Sequence, residues 1–158
     1  MRTVVLISAD AEWGAVKQLF PDSTVSVSVL GEHLDAAIGT YVATIFHGGW
    51  GRVSAAATTQ YVIDRWEPNV LVNLGTCGGF EGRIRRGEII LVERTVIYDI
   101  LEQMTNAEAA IRHYSTHLDL SWLGDQMPTP VKRGLIASGD RDIVPSEIDV
   151  LVTQYGAA

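Results

Sequence analysis

An α/β fold with a mixed sheet is what this 158-residue chain predicts, and three observations carry the prediction. Thr3 to Ala9 is β-branched and apolar at nearly consecutive positions, the pattern of a strand covered on both faces. Thr24 to Leu30 alternates Val25, Val27 and Val29 with serines, the period of a half-buried antiparallel strand. Tyr41 to Leu74 runs strand, glycine loop, helical spacing and strand, the succession of a βαβ unit. With 47% hydrophobic residues the chain can bury one core, so residues 1–158 are read as a single domain.

The elements follow in order. The first strand, expected to be central, ends near Ala9, and Asp10 is placed as the cap of a helix from Ala11 to Phe20. Trp13, Val16, Leu19 and Phe20 are spaced to face a core, and Pro21-Asp22 stops the helix. Gly31-Glu32 and Gly39-Thr40 bracket a short segment before a strand from Tyr41 to Phe46, which runs into His47-Gly48-Gly49-Trp50-Gly51. Val53, Ala56, Ala57, Tyr61, Val62 and Trp66 mark a helix closed by Pro68, and Val70 to Leu74 is the next apolar strand. A second glycine loop, Gly75 to Gly79, hangs from it. Ile89 to Asp99 is a strand, Leu101 to Pro130 a loop-rich stretch of short helical pieces, and Val131 to Ser138 a strand. Ser146 is placed as the cap of a last helix through Tyr155.

Charge and composition exclude several functions. Twelve Lys and Arg against nineteen Asp and Glu leave a net charge of -7, which offers no attraction to nucleic acid backbones or anionic membranes. Apolar runs fall short of the ~20 residues that cross a bilayer, and acidic residues follow the first run too closely for a signal peptide. The lone Cys77 permits no disulfide within the chain, which fits a cytoplasmic setting.

Three stretches sit directly after expected strands: Asp10 to Glu12, Gly75 to Gly79 and Ser138 to Asp142. Ligands of open α/β sheets bind outside the carboxyl ends of strands, so these loops are candidates for one site. Neither glycine loop has P-loop or dinucleotide-binding spacing. Glu12 is the candidate general base, set against the ordinary role of an acid in a helix's first turn. His113 and His117 are four apart but lack further metal ligands, and Cys77 has no activating histidine near it in sequence, so no metal and no cofactor are expected. Trp50, within a glycine loop, is a candidate stacking surface.

The blocks Val4 to Glu12, Gly48 to Ala56, Val72 to Gly79, Arg86 to Ile90 and Gly134 to Asp140, in that order, resemble the purine nucleoside phosphorylase superfamily, in particular its methylthioadenosine/S-adenosylhomocysteine nucleosidase branch. The resemblance implies a three-layer αβα sandwich around a mixed central sheet, a homodimer, and hydrolysis of the N-glycosidic bond of a purine nucleoside or thio-nucleoside. Glu12 then matches the water-activating glutamate, and Thr76 a serine whose hydroxyl lies near that water. Gly78 and Ile143 match positions that meet the base. Asn73 stands where the phosphorylase branch tends to carry an arginine, which favours hydrolysis over phosphorolysis.

The match also has departures. Asp142 stands where the nucleosidases present a stacking phenylalanine, Ala9 replaces a methionine, and Trp50 a small aliphatic residue near the sugar. The family continues beyond Ala158 into a ribose-gripping Met-Glu segment and a strand bearing the acid that protonates the leaving base. The sequence is therefore read as C-terminally incomplete relative to the family. A nucleoside-binding or dimer-scaffold fragment without catalysis is the alternative reading, and a phosphorylase the third.

Overall fold

The computed structural model describes residues 1–100, 103–104, 106–124 and 127–157. Its contacts divide into two compact units, Met1–Cys77 and Gly78–Ala158, and each carries a mixed sheet. The α/β class and the mixed pairing predicted from the sequence are both present.

In the first unit, strands β1 (Thr3–Ile7), β2 (Ser26–Ser28), β3 (Gly31–Ile38), β4 (Tyr41–His47) and β5 (Val70–Asn73) form one sheet in the order β2-β3-β4-β1-β5. β1 pairs in parallel with both β4 and β5, while β2, β3 and β4 pair antiparallel. Helix α1 (Asp10–Leu19) follows β1, and α2 (Gly51–Trp66) joins β4 to β5.

The consecutive apolar run of β1 has a direct structural cause. Val5 and Ile7 join a buried cluster with Trp13 and Val16 of α1, while Val4 and Leu6 join another with Phe46 of β4 and Val62 of α2. Successive strand side chains point to opposite faces, so a strand with a helix over each face needs apolar residues at every position. The unit is thus layered helix, sheet, helix.

Several element boundaries correct the sequence reading. β1 ends at Ile7, and the residue capping α1 is Ala9, with Asp10 already the first helical residue. The segment bracketed by Gly31 and Gly39 is a full eight-residue strand, β3. β2 has only three residues at the sheet edge, and Val27 and Val29 are exposed rather than half-buried. Alternation marks a strand, but an edge strand with nothing packed over its valines leaves them in water.

In the second unit, β6 (Ile90–Ile97) pairs antiparallel with β7 (Ser115–His117) and in parallel with β8 (Lys132–Ser138), with a bulge between Val92 and Arg94. Helix α3 (Ala107–His113) precedes β7, and α4 (Pro145–Val150) continues into a π-helical turn, Leu151–Tyr155. Val144, not Ser146, caps α4, and Pro145 fills its first turn, where its missing N–H costs nothing. His113 and His117 fall on a helix and a strand, so they do not share a helix face. Within the expected loop-rich stretch, residues 101, 102, 105, 125 and 126 lie outside the described residues. Among the described residues no helix is long and apolar enough to cross a membrane.

Candidate functional site

Because β1, β4 and β5 are mutually parallel, their carboxyl ends open on the same edge of the sheet, where α/β proteins place ligands. A pocket of about 360 Å³ lies there, lined by Ser8, Ala9 and Glu12 after β1, Trp50 and Gly51 after β4, and Asn73, Leu74, Gly75 and Thr76 from β5 onward.

Glu12 is the third residue of α1, and its carboxylate is held by three donors. The Thr76 backbone N–H donates to Oε1 at 2.5 Å and the Thr76 hydroxyl to the same oxygen at 2.7 Å. The Ala9 N–H donates to Oε2 at 3.3 Å. Strand register brings these residues together across 64 positions of sequence: Leu6 pairs with Asn73, and the Leu74 N–H donates to the Leu6 carbonyl at 3.0 Å. Gly75 permits the approach, since a Cβ there would lie 3.2 Å from both Glu12 carboxylate oxygens.

Burial pushes the Glu12 carboxyl up, but the hydrogen bonds from Thr76 and Ala9 outweigh it and hold the group below the ordinary carboxylate value. It is therefore ionised at neutral pH. Two bonds occupy Oε1 and one occupies Oε2, which leaves Oε2 able to accept a proton or a hydrogen bond from a molecule in the pocket. An ionised carboxylate so placed can accept a hydrogen bond from a molecule in the pocket.

Trp50 is the residue preceding α2, with extended backbone (φ −78°, ψ 153°), and at 71% exposure its indole is available to a ligand. The structure thus brings Glu12, Thr76 and Trp50 together around one pocket. Asn73 and Gly75, both expected near the site, also line it, and Ser8 and Leu74 join them as lining residues that the sequence reading had not assigned; their positions at strand ends were the available signal.

Gly78, Asp142 and Ile143 belong to the second unit. No atom within 4 Å would meet a Cβ at Gly78, so packing among the described residues does not demand glycine there. Asp142 and Ile143 are exposed in the loop after β8. That loop is tied down: the Tyr98 hydroxyl donates to the Arg141 carbonyl at 2.7 Å, the Asp140 N–H to Asp99 Oδ2 at 2.9 Å, and Arg141 pairs with Glu147. Burial pushes the Tyr98 phenol up, and the opposing pull of the Arg141 guanidinium does not cancel it. Cys77 is an exposed free thiol. No cluster of three or more metal-ligating side chains occurs among the described residues.

A mixed sheet covered by helices, with a pocket at the carboxyl ends of its parallel strands, defines an α/β protein, and the chain belongs to the phosphorylase superfamily, whose family profile matches residues 3–147. Within it, the chain is similar to 5'-methylthioadenosine/S-adenosylhomocysteine nucleosidases. That of Marinomonas sp. (strain MWYL1) is 27% identical over 106 residues, covering 61% of this chain and 46% of the relative. That of Buchnera aphidicola subsp. Acyrthosiphon pisum (strain APS) is 27% identical over 124 residues, covering 72% and 53%. The chain spans about half the length of these curated relatives. Among solved structures, a mutant of Helicobacter pylori MTAN with 5'-methylthioadenosine in its active site is similar at a TM-score of 0.77 and 14% identity, covering 99% of this chain and 73% of that one. That likeness establishes the shared fold.

Proposed function

We propose that this chain carries the water-activating part of a nucleosidase that hydrolyses the N-glycosidic bond of a purine nucleoside or thio-nucleoside of the methylthioadenosine or S-adenosylhomocysteine kind. The observation that carries the reading is the ionised Glu12 carboxylate, fixed by Thr76 and Ala9 in the wall of the pocket. Glu12 takes a proton from water as it attacks the anomeric carbon, where an oxocarbenium-like transition state develops as the base departs. Thr76 holds Glu12, and its hydroxyl oxygen accepts from the same water. Trp50, in the pocket's wall, stacks on the nucleoside.

Among the described residues, no lysine or arginine lines the pocket. Phosphorolysis needs cationic donors for phosphate, so hydrolysis is the better fit. A second reading, nucleoside binding without turnover, is favoured by Glu12 being the only ionisable side chain that the described residues bring to that lining, because a leaving base also needs an acid. The proposal extends to a homodimer, as the family resemblance implies, and to a cytoplasmic setting, which the lone Cys77 fits.

The test is release of free base from methylthioadenosine, S-adenosylhomocysteine, adenosine and inosine, with and without phosphate, by wild type and Glu12→Gln. Phosphate-independent release that Glu12→Gln lowers by about 10²-fold or more supports the reading. Saturable binding with no release selects the second reading, and release unchanged by Glu12→Gln overturns the role of Glu12.

A further inference from the structure

We propose that His47 is a positioning residue for Glu12, holding the first turn of α1 in place from the end of β4. The kinetic part of this inference rests on the nucleosidase reading; the geometric part stands on contacts alone.

The first turn of α1 has little of its own to hold it. Ala9 offers no side-chain cap, and the Glu12 carboxylate that reaches back to the Ala9 N–H is also committed to Thr76. What grips the helix is on its other side. The His47 imidazole stacks on the Trp13 indole, with centroids 5.5 Å apart and planes within 7°. Its Nε2 lies 3.3 Å from Asp10 Oδ1, without the alignment of a hydrogen bond. His47 therefore touches residues 10 and 13, one helical turn apart and on one face, with Glu12 between them in sequence.

The gripping residue is itself anchored. His47 pairs with Ile7 of β1 and Glu32 of β3, and the Gly48 N–H donates to the Ile7 carbonyl at 2.8 Å. Trp13 is fixed a second time by His47's neighbour across the strands, since its Nε1–H donates to Glu32 Oε2 at 2.6 Å. The sheet thus holds the indole at two points, and the indole sets the rotation of α1.

Rotation is the coordinate to which Glu12 is most sensitive. A turn of about 10° about the helix axis moves a carboxylate about 6 Å from that axis by about 1 Å. Thr76 donors at 2.5 and 2.7 Å do not tolerate such a shift. A misplacement of that size costs about a hundredfold in rate when a reacting group depends on it.

The experiment pairs a side-chain NMR titration of Glu12 with base-release kinetics on the whole chain, for wild type, His47→Ala and His47→Phe. His47→Ala is expected to move the Glu12 titration up toward the ordinary carboxylate value and to lower kcat about ten- to a hundredfold, with KM within about threefold. His47→Phe keeps a flat ring against Trp13 and is expected to restore both. Should His47→Ala not fold, His47→Leu, which fills the space without a planar ring, takes its place. A Glu12 titration that stays at the wild-type position in a folded His47→Ala or His47→Leu protein overturns the inference, as does His47→Phe behaving like His47→Ala. If wild type releases no base yet the titration moves and is rescued, the nucleosidase reading fails and the positioning role of His47 stands.

Discussion

Replacing Thr76 by valine isolates one bond at the site. Valine keeps the β-branched shape of threonine and the backbone N–H that donates to Glu12 Oε1, and deletes only the hydroxyl donor at 2.7 Å. A hydrogen bond to a charged acceptor contributes about 1.5–3 kcal/mol when shielded. Thr76 is exposed and Glu12 half-buried, so screening reduces this to about 1 kcal/mol. The Glu12 carboxyl is depressed in the folded protein, so its contribution is present above the ordinary carboxylate value and lost as pH falls through the folded one. Thr76→Val is therefore expected to lose about 1 kcal/mol at pH 7 by urea unfolding. The gap to wild type should narrow as pH falls below about 4.3, and side-chain NMR should show the Glu12 titration moved upward. A Glu12 titration identical in the two proteins would refute the argument, because the hydroxyl would then contribute nothing to the charged form.

Two further perturbations test the packing within each unit. Gly31→Ala places a Cβ 1.9 Å from the His47 carbonyl oxygen at φ +153°, a conformation that favours glycine, and is expected to destabilise the fold by about 3 kcal/mol or more; a thermal midpoint unchanged from wild type would contradict the β3–β4 packing described above. Glu88 accepts from the Arg85 N–H at 2.6 Å and from Lys132 Nζ at 2.9 Å, which lowers its carboxyl from 4.5 to about 2. Glu88→Gln should thus be less stable than wild type above pH 4.5, with the gap closing as pH falls toward 2; a pH-independent gap in urea titrations would show that charge plays no part in the tether.

Much of the frame was legible in the sequence because its causes are local. The unbroken apolar run of β1, the helical spacing of α2 and the breaks at glycine and proline depend on neighbouring residues and on backbone preferences. Where a boundary failed, local chemistry had two solutions: Asp10 serves as well in the first turn of α1 as before it, and Ser146 inside α4 as well as at its cap. The family blocks were equally legible, being short and in order, and they placed Glu12 and Thr76 as members of one site.

What the sequence by itself determined was therefore the α/β class, the superfamily, and Glu12, Thr76 and Trp50 as the residues that meet at the first unit's pocket. Only the tertiary structure decided how they meet. The three hydrogen bonds on Glu12 follow from the parallel register of β1 with β5, the exposure of Val27 and Val29 from the edge position of β2, and the parting of His113 from His117 from a chain that turns into β7. The stack of His47 on Trp13, braced by Glu32, joins three elements that share no motif. Register and coverage are non-local: they are set by which faces can be buried together, and periodicity alone carries no record of the partner.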